Sequence, residues 1–236
     1  PSAMQLTFRV ELPPTLEIII LVFIFAAEIM GEIGEFYIRF PFWDTALHTV
    51  NGFLAAAIGF SLVELLNRNE RVTFHLSPVF MAIVAVSFSM TIGVVWEFFE
   101  FGMDQIFGFD MQKDTVVHTI RSVLLDPRGR NVPFVIDSIT ETVVQGQELG
   151  LGGYLDIGLI DTMKDLLVTF AGSLAFSVFG YFYVKTRGKG KLVARFIPRR
   201  KAKDREFFRI IEEQEREEKA RGENAEDGGK QGGNPV

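Results

Sequence analysis

The sequence predicts an all-α polytopic membrane protein, a bundle of at least four transmembrane helices beneath a small extracytoplasmic cap. Three observations lead there. Hydrophobic residues make up 48% of the 236-residue chain and aromatic residues 13%, and they fall in blocks rather than spreading as in a soluble protein. Four blocks run roughly 20 residues or more, long enough at about 1.5 Å per residue to cross a hydrocarbon layer of about 30 Å. Charged residues collect between the blocks and in the tail, so the net charge of −6 says little about partners.

The first block, residues 16–38, carries Glu28, Glu32 and Glu35 at i, i+4, i+7 spacing, which places them on one face of an α-helix. The second, 46–66, is entered through Trp43-Asp44-Thr45-Ala46-Leu47-His48, with Asp44 and His48 one turn apart. Its Gly52, Ala55, Ala56 and Gly59 are small residues of the kind that allow close helix approach in lipid. The third, 78–101, ends in VVWEFFEFGMD, where Glu97, Glu100 and Asp104 interrupt the apolar run at helical spacing. Segment 105–154 is too long for a simple turn. Strand-like alternation in FVIDSITETVV followed by Gln145-Gly146, between turn-forming Asp126-Pro127-Arg128-Gly129 and Gly150-Leu151-Gly152-Gly153, predicts a compact cap with a β-hairpin. The fourth block, 157–184, is entered through Gly153-Tyr154-Leu155-Asp156 and carries Asp161 and Asp165 one turn apart. Beyond it, 185–236 is first basic, then acidic, and ends in a Gly- and Asn-rich composition expected of a disordered terminus.

Orientation follows from the basic residues, which favour the cytoplasmic side. Residues 185–203 hold many lysines and arginines with no acid among them, so the end of the fourth span and the C-terminus are placed in the cytoplasm and the cap outside. Trp43 and Trp96 agree, since both fall at outer helix ends, where amphipathic rings favour the headgroup layer. The same basic segment is expected to lie on anionic lipids of the inner leaflet. The chain has no cysteine, which excludes disulfides, thiolate zinc sites and thiol nucleophiles. No secretory leader is legible at Pro1, and the chain is expected to be part of a longer one, so four spans is a minimum. No phosphate-cradling glycine loop, nucleophile elbow or H-E-x-x-H signature is present, and no basic aromatic groove suggests nucleic acid.

Depth ties the acids together. Measured from the cytoplasmic helix ends, His48, Glu97 and Asp165 each lie roughly 27 to 29 Å away by helical rise, and Glu32 falls within about a turn of them. Helix ends near water often carry charge, which accounts for Asp104, Asp156 or Glu35 singly. It accounts poorly for Glu28, about 18 Å above Leu16 by the same rise, because a lone carboxylate at that depth is costly unless it faces a polar cavity or partner. A bundle interior lined by these residues accounts for all of them. Clustered carboxylates repel and are reconciled by protons or a cation. A mixed imidazole and carboxylate set suits zinc, manganese, iron or another divalent ion. The expected ligands are His48, Glu97 and Asp165, with Asp44 orienting the imidazole and Glu100 as general base toward bound water. Glu28, Glu32, Asp104 and Asp161 complete an acidic wall. A proton relay, or pairing with Lys164 or Arg39, is the competing use of the same groups.

The stretches WDTALHTVNGF, WEFFEFGMD and GYLDIGLIDTMKDL together resemble the YjdF-type family of uncharacterised bacterial inner-membrane proteins, over most of residues 16–184. That family shows a D-x-x-x-H helix, an E-x-x-E helix and a last helix with D-T-x-x-D. More distantly the order resembles VanZ-like proteins, although Thr169 stands where an Asn would be expected. The resemblance implies a helical bundle in a bacterial inner membrane and brings no reaction with it. Three functions are therefore weighed. The first is an outward-facing carboxylate and histidine site that binds a divalent cation and acts hydrolytically on an envelope or lipid-linked substrate. The second is a proton- or cation-coupled transporter, opposed by the lack of a visible polar path in the inner halves of the spans. The third is a membrane scaffold or assembly protein.

Overall fold

A computed structural model describes residues 10–11, 13–67, 76–186, 193, 195–196 and 199–200. The chain divides into two units, 14–197 and a smaller one made of 1–13 with 198–236. In the smaller unit β1 (Val10–Glu11) pairs antiparallel with Arg199–Arg200. Everything that positions the site belongs to the larger unit.

Pro14 opens α1 (Pro14–Ile24), where a residue lacking an N–H costs nothing, and α1 runs directly into a π-helical segment, Phe25–Ile33. The segment closes with a five-residue bond from Gly34 N–H to Ile29 O, 2.9 Å. Glu35 then turns left-handed at φ 58°, and α2 (Phe36–Arg39) follows. The expected first span, 16–38, is thus not one α-helix. Glu35 faces Arg39 in an exposed 2.8 Å pair instead of sharing a face with Glu28 and Glu32.

Three long helices form the body of the bundle: α3 (Trp43–Asn67), α4 (Pro78–Phe107) and, after the cap, α5 (Leu159–Lys185). Among the described residues these three are long and apolar enough to cross a membrane. α4 starts on Ser77, whose hydroxyl accepts from Phe80 N–H, and ends at left-handed Gly108, φ 69°. It runs six residues past the expected end at 101. α5 begins at Leu159 behind Gly158, φ 77°, rather than at 157.

The helices meet through small residues. A methyl on Gly52 would strike the backbone of Thr169 in α5, and one on Gly172 would strike the backbone of Thr49 in α3, so the α3/α5 crossing is set by a reciprocal glycine pair. Gly59 faces Phe88 of α4, where an added Cβ would lie 2.7 Å from the Phe88 Cβ. Hydroxyls reinforce these contacts: Ser89 donates to Gly52 O at 2.9 Å, and Thr169 to His48 O at 3.3 Å. The half away from the cap is filled by Phe60, Phe176, Phe53 and Tyr183, with Phe196 seated 5.8 Å from both Phe53 and Phe176. Phe196 and Val193 are buried, and Phe196 packs against α3 and α5. Most of 185–203 and the loop 68–75, with His75, lie outside the described residues.

The cap is built from short pairings. β2 (Val116–Val117) pairs with Tyr154–Leu155, and β3 (Ile120–Ser122) with β4 (Phe134–Ile136). β5 (Val143–Val144) pairs with β6 (Gln147–Glu148) around Gln145-Gly146, whose φ values of 54° and 80° suit a tight hairpin turn. The hairpin therefore occupies 143–148, and residues 134–136, expected to belong to it, pair upstream instead. Tyr154–Leu155 is β7, and Arg199–Arg200 is β8.

Candidate functional site

At the cap end of the bundle α3, α4 and α5 each turn one polar stripe inward. In α4 the buried positions are Met81, Ala85, Ser89, Gly93, Glu97 and Glu100, nearly every fourth residue. Glu97 is 4% exposed and Glu100 8%, whereas Phe98, Phe99 and Phe101 are 70%, 49% and 54% exposed. The aromatics therefore cover the outside of the turn whose inside carries the carboxylates. In α5, Asp161, Asp165, Thr169, Ser173 and Ser177 follow one another at four-residue spacing and are all buried. α3 contributes His48 from the same level.

His48 is the hub. Its Nε2 lies 3.6 Å from Asp44 Oδ1, one turn earlier, and 3.9 Å from Asp165 Oδ2 across the crossing. A ligating atom from each of Asp44, His48 and Asp165 falls within 4.8 Å of the others, and the same holds for His48, Glu97 and Glu100. Glu100 is oriented by Trp96, whose Nε1–H donates to Oε1 at 2.8 Å. Both oxygens of Glu97 and Oδ1 of Asp165 are shut off from solvent, with the Thr162 and Gln112 side chains as the polar neighbours of Glu97. Three buried carboxylate oxygens beside an imidazole form an electron-rich pocket, costly unless a proton or cation answers it.

The other acids do different work. Asp104 accepts Met111 N–H at 2.6 Å and Gln112 N–H at 2.9 Å, so both its oxygens are taken. Asp161 accepts Lys113 N–H at 2.9 Å, and Asp156 accepts Thr115 N–H and Ile160 N–H, each at 2.7 Å. Residues 111–115 are thereby strapped across the ends of α4 and α5. Asp104 is a fastening rather than part of an acidic wall, and Asp161, though buried next to the cluster, gives one oxygen to the strap. The strap carries Gln112 inward, where its amide donates to the Thr162 hydroxyl at 2.5 Å. On the same strap Asp114 sits above the usual carboxylate range, first through partial burial and then through the charges of Asp110 and Asp156.

Glu28 and Glu32 are exposed on the π-helical segment and do not join the buried cluster. The wider π turn removes the α-helical register that the shared-face expectation required. What links them to the site is Tyr37, packed over Gly31 and within electrostatic reach of Asp44, Glu32, Glu28 and Glu100. Tyr37 and Gln112 carried no sequence signal, whereas Thr162 is the threonine of the D-T-x-x-D motif. Trp96 and Thr169 carried a signal too, each four residues from a site acid on the same helix. His118 is exposed and its Nδ1 lies 3.0 Å from Ile139 O, an ordinary loop contact.

No curated protein and no solved structure matches the chain. The VanZ-like comparison thus finds no support. A family profile described as "Predicted membrane protein (DUF2238)" matches residues 1–186, which takes in all three long helices, the cap and every residue of the site. The chain belongs to this family of predicted membrane proteins, consistent with the YjdF-type resemblance of its helix motifs.

Proposed function

We propose that the cluster binds one divalent cation, with His48, Glu97 and Asp165 as ligands, Asp44 holding the imidazole and Glu100 placed to take a proton from bound water. One observation carries the reading: buried carboxylate oxygens of Glu97, Glu100 and Asp165 each lie within 4.8 Å of an imidazole nitrogen of His48. The donor set of one nitrogen and several carboxylate oxygens suits zinc, manganese or iron(II). Glu100 keeps Oε2 free of the Trp96 bond, as a general base requires. The reading extends to four spans, with α1 and the π-helical segment as the first, to a cytoplasmic C-terminus, and to a site opening on the outer face of a bacterial inner membrane. There it would serve hydrolysis of an envelope or lipid-linked substrate. Metal analysis of purified protein tests it. Wild type should hold about one equivalent, and Glu97→Gln and His48→Ala should lose it while remaining folded; metal-free wild type after loading with zinc, manganese and iron(II) would refute it.

A second reading, a proton- or cation-coupled carrier, is favoured by the column on α5. Thr169, Ser173 and Ser177 continue the line of Asp161 and Asp165 inward, Ser177 Oγ is buried without a hydrogen-bond partner, and α3 adds buried Ser61 and Glu64 in the inner half. These buried polar groups on α3 and α5, beyond the cluster, support this class. Dissipation of a pH gradient by proteoliposomes, abolished in Glu64→Gln, is its expected signature.

A further inference from the structure

One cationic side chain stands apart. Lys164 is the sole lysine or arginine in α3, α4 and α5 short of the terminal Lys185. It is exposed on the outer face of α5 and belongs to no ion pair among the described residues. Around it lies an open groove of about 570 Å³, lined by Leu159, Ile160, Met163, Leu167 and Val168 and almost wholly apolar.

Depth and direction give the groove a polarity. Lys164 is 21 residues before Lys185, about 31 Å by helical rise, which puts it near the boundary of the hydrocarbon layer at the cap end. A helical side chain leans toward the N-terminus of its helix, here toward the membrane surface. Lys164 is within electrostatic reach of Asp161 and His48, and so borders the cluster. One turn deeper, Leu167 and Val168 continue the groove with no polar group. A cation at headgroup height above an apolar channel complements an anionic head joined to an alkyl chain.

We propose that this groove binds one anionic phospholipid of the bilayer, its phosphate on Lys164 and one acyl chain along Met163, Leu167 and Val168. The proposal goes beyond the cation reading and does not rest on it. A lysine that merely reaches for the surface would attract anionic lipid equally, but would not need the groove; filling the groove separates the two.

The test titrates the full chain in detergent with phosphatidylglycerol and with phosphatidylcholine of the same acyl chains, counting bound lipid by native mass spectrometry. Wild type should hold one phosphatidylglycerol in preference to phosphatidylcholine by about fivefold, the effect of one lysine near an anionic headgroup. Lys164→Gln should lower that preference about fivefold relative to wild type and Lys164→Arg keep it, the basic tail being common to all three and cancelling in the comparison. Met163→Trp, which fills the groove and leaves the charge, should weaken both lipids at this site. Undiminished phosphatidylglycerol in Lys164→Gln, undiminished binding in Met163→Trp, equal binding of the two lipids by wild type, or displacement by equimolar inorganic phosphate would each overturn the proposal.

Discussion

The glycine crossing of α3 and α5 is where packing and site geometry can be separated by one methyl group. In Gly52→Ala the new Cβ would lie 2.8 Å from both C and Cα of Thr169, closer still to its carbonyl oxygen, and all of these are backbone atoms that no rotamer change can move. Ordinary carbon contacts are about 3.5 to 4.0 Å, so the helices must part by about 1 Å. His48 is one turn before Gly52 and Asp165 one turn before Thr169, so the same displacement opens the 3.9 Å approach of His48 Nε2 to Asp165 Oδ2. Metal ligands tolerate only about 0.2 Å, so a cation held by both would be released. Overpacking costs about 1 to 3 kcal/mol, against a helix-propensity gain of about 1 kcal/mol for alanine over glycine. Gly102→Ala supplies the control, because nothing lies within 4 Å of its Cβ and only the propensity gain remains. Unfolding of both variants in one detergent should place Gly52→Ala about 1 to 3 kcal/mol below Gly102→Ala, and calorimetric titration with manganese or zinc should show binding lost in the first alone. Equal stability and equal binding in the two would refute the account of the crossing.

Asp104→Asn, which weakens two charge-assisted bonds to the strap, should cost about 1 to 3 kcal/mol and speed hydrogen exchange at Met111 and Gln112 while leaving the exchange of mid-α4 amides unchanged. Trp96→Phe leaves the buried Glu100 oxygen without its donor, with an expected loss of about 1 to 3 kcal/mol in detergent unfolding, and should weaken any bound metal less than Glu97→Gln does. Gly146→Ala forces a side chain on a residue at φ 80°, a cost of about 1 to 2 kcal/mol that should show as faster exchange in the 143–148 hairpin and nowhere else. A cysteine introduced at Gly129, in a chain that otherwise has none, should be labelled by a membrane-impermeant reagent from outside intact cells; labelling from the cytoplasmic side alone would reverse the orientation.

Three of the long apolar helices, α3, α4 and α5, and the face of α4 and α5 that carries the acids were legible along the chain, because both are local; the expected single helix over 16–38 was not. Block length is read along the chain, and helical periodicity puts Glu97 and Glu100 opposite Phe98 and Phe99 wherever the helix packs. The shared depth of His48, Glu97 and Asp165 was legible for the same reason, since rise per residue converts position into height. Tertiary structure alone decided what each acid does. Asp104 and Asp161 were expected in the acidic wall beside the cluster, yet they hold backbone N–H groups of the 111–115 strap, as does Asp156, with partners up to 48 residues away. Only the crossing shows that Gly52 and Gly172 meet the opposing backbones and thereby bring His48 against Asp165. The π-helical segment was equally invisible, because a change in turn width alters which residues share a face without altering the sequence pattern from which the face is read.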